Sequence, residues 1–320
     1  MKKILVVQPL RPEALRLFEE RVDVSYEVIT DFSPENLLRH IGNADAMTIR
    51  DALLPIQILQ AAPRLTVVSR HGVGYDNIPV DYCTSRNLPV TVVGDANAIS
   101  VAEQTMYLLL AAAKRGLELD AAVRRGDFGA RSRLVGLELR GRTLLLIGFG
   151  RIGREVALRA SAFGMMIAVF DPYAARAATP HVEFVDSLDE GLVKADVVSV
   201  HVPLGPKTKN LIGARELGLL PPRAIVLNTA RGGLVDEAAL AAALASGHLW
   251  AAGLDTFETE PLPADSLLLK SERSVFSPHS AALTEESLIA MGVMTARNAL
   301  AGLDGTLDPA MVVNPDVLKR

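Results

Sequence analysis

The chain has 320 residues, of which 49% are hydrophobic and 22% are charged, and its net charge is −4 at pH 7. This length predicts about two domains, each large enough for a hydrophobic core. A weakly acidic chain offers no electrostatic basis for binding nucleic acid or an anionic membrane surface. No apolar run approaches the roughly 20 residues that span a bilayer.

The single cysteine, Cys83, rules out an internal disulfide bond and favours a reducing compartment. Lys2 and Lys3 precede an apolar run of only four residues, which is too short for the core of a signal peptide. We therefore expect a cytoplasmic protein. No metal site is predicted.

The first 97 residues alternate short apolar strands with amphipathic helices. The predicted strands are 4–7, 25–29, 46–49, 66–69 and 90–93, and helices between them include 13–20, 34–41 and 56–61. Such alternation is typical of a parallel sheet with right-handed crossovers. A long helix over 98–115 follows and is apolar on nearly all sides, so we expect it to be buried against another element or another subunit.

A second alternating series begins at residue 143. Its predicted strands are 143–147, 166–170, 196–200, 224–228, 250–254 and 274–277. Six strands are the number in a complete doubly wound dinucleotide-binding domain. A final helix over 285–303 and a short tail complete an α/β chain.

A glycine motif, 148–153, follows the first strand of this second series. Gly148 permits a tight turn, Gly150 lets the backbone approach a pyrophosphate, and Gly153 allows close packing of helix and strand. The first turn of the next helix offers unpaired N–H groups to the phosphates. Asp171, at the end of the next strand, can accept hydrogen bonds from ribose hydroxyls and would repel a 2′-phosphate. The motif therefore predicts NAD rather than NADP, although Arg176 lies close enough in sequence to soften this preference.

Three polar side chains follow the last three strands, where ligands of an open α/β sheet bind. Arg231 follows the first of these strands, Glu260 the second and His279 the third. A guanidinium can hold a substrate carboxylate in a bidentate manner and polarise the neighbouring carbonyl group. Histidine titrates near neutral pH, and a carboxylate beside it would fix its tautomer. We therefore predict that Arg231 polarises the substrate, His279 is the general acid/base and Glu260 orients His279.

Together with these residues, several further stretches give the chain a resemblance to the D-isomer-specific 2-hydroxyacid dehydrogenase family over nearly its whole length. The matching stretches are 71–78, 101–103, the glycine motif, 201–204, 228–233, 253–255 and 278–279. The resemblance implies two doubly wound parallel-sheet domains with a cleft between them. A flavodoxin-like substrate domain would comprise 1–98 plus 288–320, and a Rossmann NAD-binding domain 99–287. It also implies a homodimer joined through the NAD-binding domain.

The resemblance further implies roles for matching residues. The backbone of Val73 and Gly74 would hold the substrate carboxylate. Arg151 and Ile152 would contact the pyrophosphate. The remaining cofactor contacts would be Val202 on the ribose side, Ala230, and at the nicotinamide end Thr229 and Asp255. The reaction implied is hydride transfer between NAD(H) and a small 2-hydroxy or 2-oxo acid.

Two arginines bear on the identity of the substrate. Arg50 and Arg70 follow two strands of the first series, and in the phosphoglycerate dehydrogenase branch arginines at similar places meet the substrate's phosphate. Two guanidiniums suit a substrate with an anionic, 3-phosphoglycerate-like tail, the tail being the part of the molecule beyond its 2-hydroxy or 2-oxo acid group. Alternatively, the two arginines form structural ion pairs. A hydroxypyruvate or glyoxylate reductase is the alternative function. The chain departs from the family pattern at Ala281, where glycine is usual, and we expect a short form without a regulatory domain after Arg320.

Two further alternatives remain. Formate dehydrogenase shares the fold, but formate oxidation releases no hydroxyl proton and that family has glutamine at the position of Glu260. A protein that binds NAD(H) as a sensor without turnover keeps much of the same triad, so the residues alone leave it open.

Overall fold

The computed structural model describes residues 1–175 and 182–319. Its twelve strands are β1 (Lys2–Val7), β2 (Val24–Ile29), β3 (Ala46–Ile49), β4 (Val67–Arg70), β5 (Val90–Thr91), β6 (Thr143–Ile147), β7 (Met166–Phe170), β8 (Val182–Phe184), β9 (Val197–Val200), β10 (Ile225–Asn228), β11 (Ala251–Leu254) and β12 (Val275–Phe276). Its α-helices are α1 (Pro12–Glu19), α2 (Pro34–Ile41), α3 (Ile56–Gln60), α4 (Val80–Ser85), α5 (Ala98–Lys114), α6 (Gly116–Arg124), α7 (Arg151–Ala162), α8 (Leu188–Leu192), α9 (Ala214–Leu219), α10 (Glu237–Ala245) and α11 (Glu285–Asp304). Short 3₁₀ helices cover Phe128–Ser132, Leu267–Lys270, Pro309–Met311 and Pro315–Leu318.

The chain divides into two compact units. Unit 1 consists of Met1–Asn97 and Leu283–Arg320, and unit 2 consists of Ala98–Ala282. Each unit contains one parallel sheet. The predicted α/β class with two doubly wound parallel sheets is confirmed.

Unit 1 has five parallel strands in the order β2-β1-β3-β4-β5, which is the flavodoxin-like arrangement. Successive strand residues alternate between two cores. Leu5, Met47 and Val68 face one core, which includes residues of α2, α3 and α4. Ile4, Val6, Ala46 and Val67 face the other core, which α1 and α11 cover. Helix α11 lies so close to β4 that a Cβ atom at Gly302 would overlap Val67.

Unit 2 has seven parallel strands in the order β12-β11-β10-β9-β6-β7-β8. The order reverses at β6, so the crevice between the carboxyl ends of β6 and β9 is the topological switch point. Helices α5 and α7 pack on one face, and α8, α9 and α10 pack on the other. The prediction of six strands was wrong: the strand that it lacked is β8, a three-residue edge strand paired with β7.

The helices around this sheet begin at recognisable residues. Asp236 caps α10 by accepting a 2.9 Å hydrogen bond from the N–H group of Ala239, and Thr284 caps α11. Helix α7 begins at Arg151, within the glycine motif, because the motif itself forms the turn into the helix. No helix within residues 1–175 or 182–319 combines the length and the apolar character needed to cross a membrane.

Candidate active site

The glycine motif forms the turn between β6 and α7 at the switch point of unit 2. Gly148 has φ +96°, which favours glycine, and a Cβ atom there would collide with the carbonyl oxygen of His201. At Gly153 a Cβ atom would collide with the carbonyl oxygen of Gly148, so this glycine allows α7 to start directly against the turn. Both glycines are therefore required by the protein's own packing.

Gly150 differs from its two neighbours in the motif. Its φ is −74°, and a Cβ atom there would have no protein atom within 4 Å. Neither backbone conformation nor packing within the protein demands glycine here. The requirement that remains is the close approach of a ligand to the backbone, as a pyrophosphate makes at the N-terminus of such a helix. This part of the chain fits a dinucleotide.

We expect Gly150→Ala to separate cofactor binding from stability. The free energy of unfolding should stay unchanged or rise by up to about 1 kcal/mol, because alanine restricts the unfolded chain. The Kd for NADH should rise about tenfold, because the methyl group stands where the pyrophosphate meets the backbone. Thermal unfolding and quenching of protein fluorescence by NADH measure the two quantities. Gly218→Ala, at another glycine with open space, is the matched control; equal NADH affinity in all three proteins would contradict the assignment.

Asp171 lies directly beside the glycine turn. Its Oδ2 atom accepts a 2.8 Å hydrogen bond from the N–H group of Phe149, and its Oδ1 atom accepts from Tyr173 and Ala174. These backbone donors hold the carboxylate at the end of β7, next to β6, and each carboxylate oxygen can accept a further hydrogen bond. The side chain of Val202, after β9, lies against Gly148. Arg151 and Ile152 form the first turn of α7, and Arg176 lies outside the described residues.

Arg231 lies in a loop that Asn228 organises at the end of β10. The side-chain amide of Asn228 donates to the carbonyl oxygen of Arg231 at 2.7 Å, and its oxygen accepts from the N–H group of Ala230 at 3.1 Å. The half-buried guanidinium donates from Nη1 to the carbonyl oxygen of Ala230 at 2.7 Å. Thr229 is buried, and its hydroxyl shares a 2.9 Å hydrogen bond with that of Thr105 on α5.

Sequence reasoning did not identify the organising role of Asn228, although an asparagine at a strand end before small residues is a known turn signal. It also missed Gly232. A Cβ atom there would collide with the carbonyl group of Phe257, in the loop that leads to Glu260. The loop that carries Arg231 and the loop that carries Glu260 are therefore in close contact through this glycine.

His279 lies in a short loop after β12, and Asp255 holds this loop in place. His279 has φ +51°, which is uncommon for a residue with a side chain. Its N–H group donates to the carbonyl oxygen of Asp255 at 2.8 Å. The carboxylate of Asp255 is fully buried and accepts from the N–H groups of Ser280 and Ala281, each at 2.9 Å, and from the hydroxyl of Ser277.

The structure of this loop bears on two residues that the sequence analysis singled out, Asp255 and Ala281. Asp255, which the resemblance assigned to the nicotinamide end, has its carboxylate engaged with three donors in the histidine loop. Alanine fits at position 281 because the residue's backbone lies outside the left-handed region, so the departure from the family's usual glycine introduces no backbone strain.

The imidazole of His279 and the carboxylate of Glu260 form a direct pair. The Nδ1 atom of His279 lies 2.8 Å from Oε2 of Glu260, and Oε1 of Glu260 accepts from the N–H group of Phe257 at 3.0 Å. Because a carboxylate accepts, Nδ1 carries the proton of this hydrogen bond and Nε2 is left for a substrate. The side chains are 46% and 36% exposed, so a ligand can reach them. A cavity of about 550 Å³ beside them is lined by apolar residues such as Phe257, Leu262 and Phe276.

Two other histidines follow strands but are poor proton donors. Burial lowers the pKa of His201 to about 4. Burial, together with the positive charges of Arg50 and Arg70, lowers the pKa of His71 to about 4. Both imidazoles are therefore neutral at pH 7. Among the histidines at strand ends in residues 1–175 and 182–319, His279 has the exposure and the carboxylate partner that a general acid needs.

In unit 1, the predicted substrate residues lie at the carboxyl ends of β3 and β4. Arg50 follows β3, and its Nη1 atom lies 3.5 Å from the carbonyl oxygen of Pro9. Arg70 ends β4, and the loop 71–74 follows it directly. Its Nη2 atom lies 3.2 Å from Oδ1 of Asp51. The half-buried residues Val73 and Gly74 lie in this loop.

Three comparisons with known proteins agree. Residues 106–281 match the family model described as D-isomer specific 2-hydroxyacid dehydrogenase, NAD binding domain. A D-3-phosphoglycerate dehydrogenase of Methanocaldococcus jannaschii is 42% identical over 320 residues, which cover 99% of this chain and 60% of that protein. A glyoxylate reductase of Thermofilum pendens is 37% identical over 326 residues, which cover 99% of this chain and 96% of that protein.

Among solved structures, an NADPH-dependent glyoxylate/hydroxypyruvate reductase from Sinorhizobium meliloti superposes with a TM-score of 0.90 at 28% identity, covering 100% of both chains. The chain spans only about 60% of the length of the phosphoglycerate dehydrogenase from M. jannaschii. It spans nearly all of the glyoxylate reductase from T. pendens. Unit 2 is therefore an NAD-binding domain, and the chain belongs to the D-isomer-specific 2-hydroxyacid dehydrogenase family.

Proposed function

We propose that the protein is an NAD-dependent 2-hydroxyacid dehydrogenase, which reduces a small 2-oxo acid or oxidises the corresponding D-2-hydroxy acid. The observation that carries this proposal is the hydrogen-bonded pair of His279 and Glu260, which follow β12 and β11 at the carboxyl edge of the sheet where Arg231 follows the neighbouring β10. A fixed cation and a proton donor are the two protein groups that carbonyl reduction requires.

Each member of the triad has a defined task in this proposal. Arg231 holds the substrate carboxylate with its guanidinium and polarises the adjacent carbonyl group. His279 donates a proton from Nε2 to the carbonyl oxygen during reduction and accepts it during oxidation. Glu260 fixes the tautomer and the orientation of the imidazole through the hydrogen bond at Nδ1.

NADH, when bound, supplies the hydride. We propose that the turn at Gly148, Gly150 and Gly153 and the first turn of α7, with Arg151 and Ile152, hold the pyrophosphate. Asp171 would bind the ribose hydroxyls and favour NAD over NADP, with Val202, Thr229 and Ala230 as further contacts. Asp255 would support the nicotinamide end by holding the loop of His279 through its buried carboxylate. The backbone of Val73 and Gly74 would hold the substrate carboxylate.

The experiment that tests the proposal is NADH oxidation with a panel of 2-oxo acids. The panel contains glyoxylate, hydroxypyruvate, pyruvate, 3-phosphohydroxypyruvate and sulfonated analogues, and each is also assayed with NADPH. Turnover of at least one compound, faster with NADH than with NADPH, is the expected result. NADH binding without turnover across the panel would contradict the enzyme and favour a sensor.

A hydroxypyruvate or glyoxylate reductase is the second candidate within the same reaction class. The ion pair of Arg70 with Asp51 favours it, since one of the two arginines predicted for an anionic tail already has a carboxylate partner. The similarity to a glyoxylate reductase over nearly the whole of both chains also favours this second candidate. The ratio of activities toward hydroxypyruvate and 3-phosphohydroxypyruvate decides between the two candidates.

We also propose a homodimer joined through unit 2. The support is an apolar groove of about 630 Å³ along α5, α6 and α7, which includes Leu117, Phe163 and the 48% exposed side chain of Tyr107. Sedimentation equilibrium measures the mass and tests this proposal.

The domain limits 1–98 plus 288–320 and 99–287 remain a proposal supported by the two compact units. A cytoplasmic location remains a proposal supported by the unpaired, buried Cys83.

A further inference from the structure

Arg70 is held firmly against the loop that follows β4. Its side chain is only 13% exposed, and its Nη1 atom donates to the carbonyl oxygen of His71. A Cβ atom at Gly72, which has φ +143°, would collide with the guanidinium. The glycine therefore leaves room for this arginine beside the loop.

Asp51 contacts the same guanidinium from the solvent side. Its Oδ1 atom lies 3.2 Å from Nη2 of Arg70, and its side chain is 69% exposed. The backbone N–H groups proposed to hold the substrate carboxylate belong to Val73 and Gly74, directly after Gly72. If Val73 and Gly74 hold the substrate carboxylate, the tail of the substrate begins near Arg70 and its partner Asp51.

The charges at this edge decide which tails fit. Around the imidazole of His71, Arg50 and Arg70 contribute two positive charges and Asp51 contributes one negative charge, while the buried imidazole itself is neutral at pH 7. A phosphorylated tail carries a charge of about −1.5 to −2 at pH 7. Such a tail would compete with Asp51 for Arg70 and would be repelled by it, whereas a short uncharged tail meets no such repulsion.

We propose that Asp51 is a specificity-determining residue that directs the enzyme toward 2-oxo acids with short, uncharged tails and against those with phosphorylated tails. The inference rests on the proposed function. It assigns Asp51 an effect on substrate choice through the charge of its carboxylate, without contact with the reacting atoms.

The test uses Asp51→Asn in the full chain. Asparagine keeps the size of the side chain and an oxygen that can accept from Arg70, so only the charge is removed. We measure kcat/KM with NADH for 3-phosphohydroxypyruvate and for hydroxypyruvate. The ratio of the two values should rise about tenfold or more, mainly through a lower KM for the phosphorylated compound. The rise should shrink at high ionic strength, because salt screens the repulsion.

Asp95→Asn is the matched control, since Asp95 is also exposed and follows β5 at the same edge of the sheet. This change should leave the ratio within about twofold of that of the unchanged protein. An equal ratio in Asp51→Asn and the unchanged protein, or an equal rise in both variants, would overturn the role of Asp51 while the proposed function stands. If the unchanged protein reduces neither compound nor any other 2-oxo acid, the proposed function fails and this role fails with it.

Discussion

Replacing His279 with alanine is expected to lower kcat/KM for 2-oxo acid reduction by about 10²–10⁴-fold at neutral pH, the range that a positioned general acid contributes. The carbonyl oxygen must receive a proton as the hydride arrives, and the Nε2 atom of His279 is the group proposed to supply it. The hydrogen bond of Nδ1 to Glu260 holds the imidazole for this transfer. Steady-state rates at saturating NADH measure the effect.

The affinity for NADH is the control that distinguishes a loss of catalysis from a loss of folding. The Kd for NADH of His279→Ala should stay close to that of the unchanged protein, because His279 is proposed to touch the substrate and not the nucleotide's phosphates. His248→Ala is the matched histidine control, since His248 contacts the carbonyl oxygen of Leu217 instead of a carboxylate. Rates for His279→Ala equal to those of the unchanged protein at neutral pH would show that the acid/base assignment is wrong.

Replacing Arg231 with alanine should lower kcat/KM by about 10²–10³-fold, the loss expected when one fixed charge or donor that stabilises the transition state is removed. Arg231→Lys should recover little of this loss, because a lysine cannot reproduce the planar, bidentate contact with a carboxylate. The loop should persist in both variants, since Asn228 still bonds the backbone groups of residues 230 and 231.

The measurement for Arg231 is a comparison of kcat and KM with NADH affinity and melting temperature. A loss in both kinetic parameters with unchanged NADH affinity supports a contact with the substrate. Arg215→Ala is the arginine control, because Arg215 is an exposed partner of Asp189 on the surface of the same unit. Full activity of Arg231→Lys would contradict a bidentate role.

Most of the fold could be predicted from periodicity. Most strands of both sheets are short runs rich in buried aliphatic residues between helices, as is typical of parallel sheets, whereas the edge strand β2 has half-buried central residues. The missing strand, β8, has only three residues, Val182–Phe184, and lies at the edge with half-buried and exposed side chains. Three residues are too few to distinguish strand alternation from a loop.

The part of the candidate site that depends on strand order could be predicted from the sequence. Arg231, Glu260 and His279 follow strands that are neighbours in the sheet, so their proximity follows from the topology. The contacts made by loops could not be predicted in the same way. The bonds from Asp255 to Ser280 and Ala281 depend on the left-handed backbone of His279. The contact of Asp51 with Arg70 likewise depends on the path of the chain after β3.

Unit 1 is assembled from two stretches of chain, and this affects how the protein reaches its native state. Ala296 and Ala299 of α11 complete the core beside Ile4, Val6 and Val67. During synthesis on the ribosome, the first 97 residues emerge before α11, and the part of this sheet face that α11 covers is then exposed. Unit 2 is continuous in sequence and contains every strand of its own sheet. Unit 1 cannot complete its core until α11 has been made, so we expect a nascent chain that stops short of α11 to expose apolar sheet surface and to be prone to aggregation.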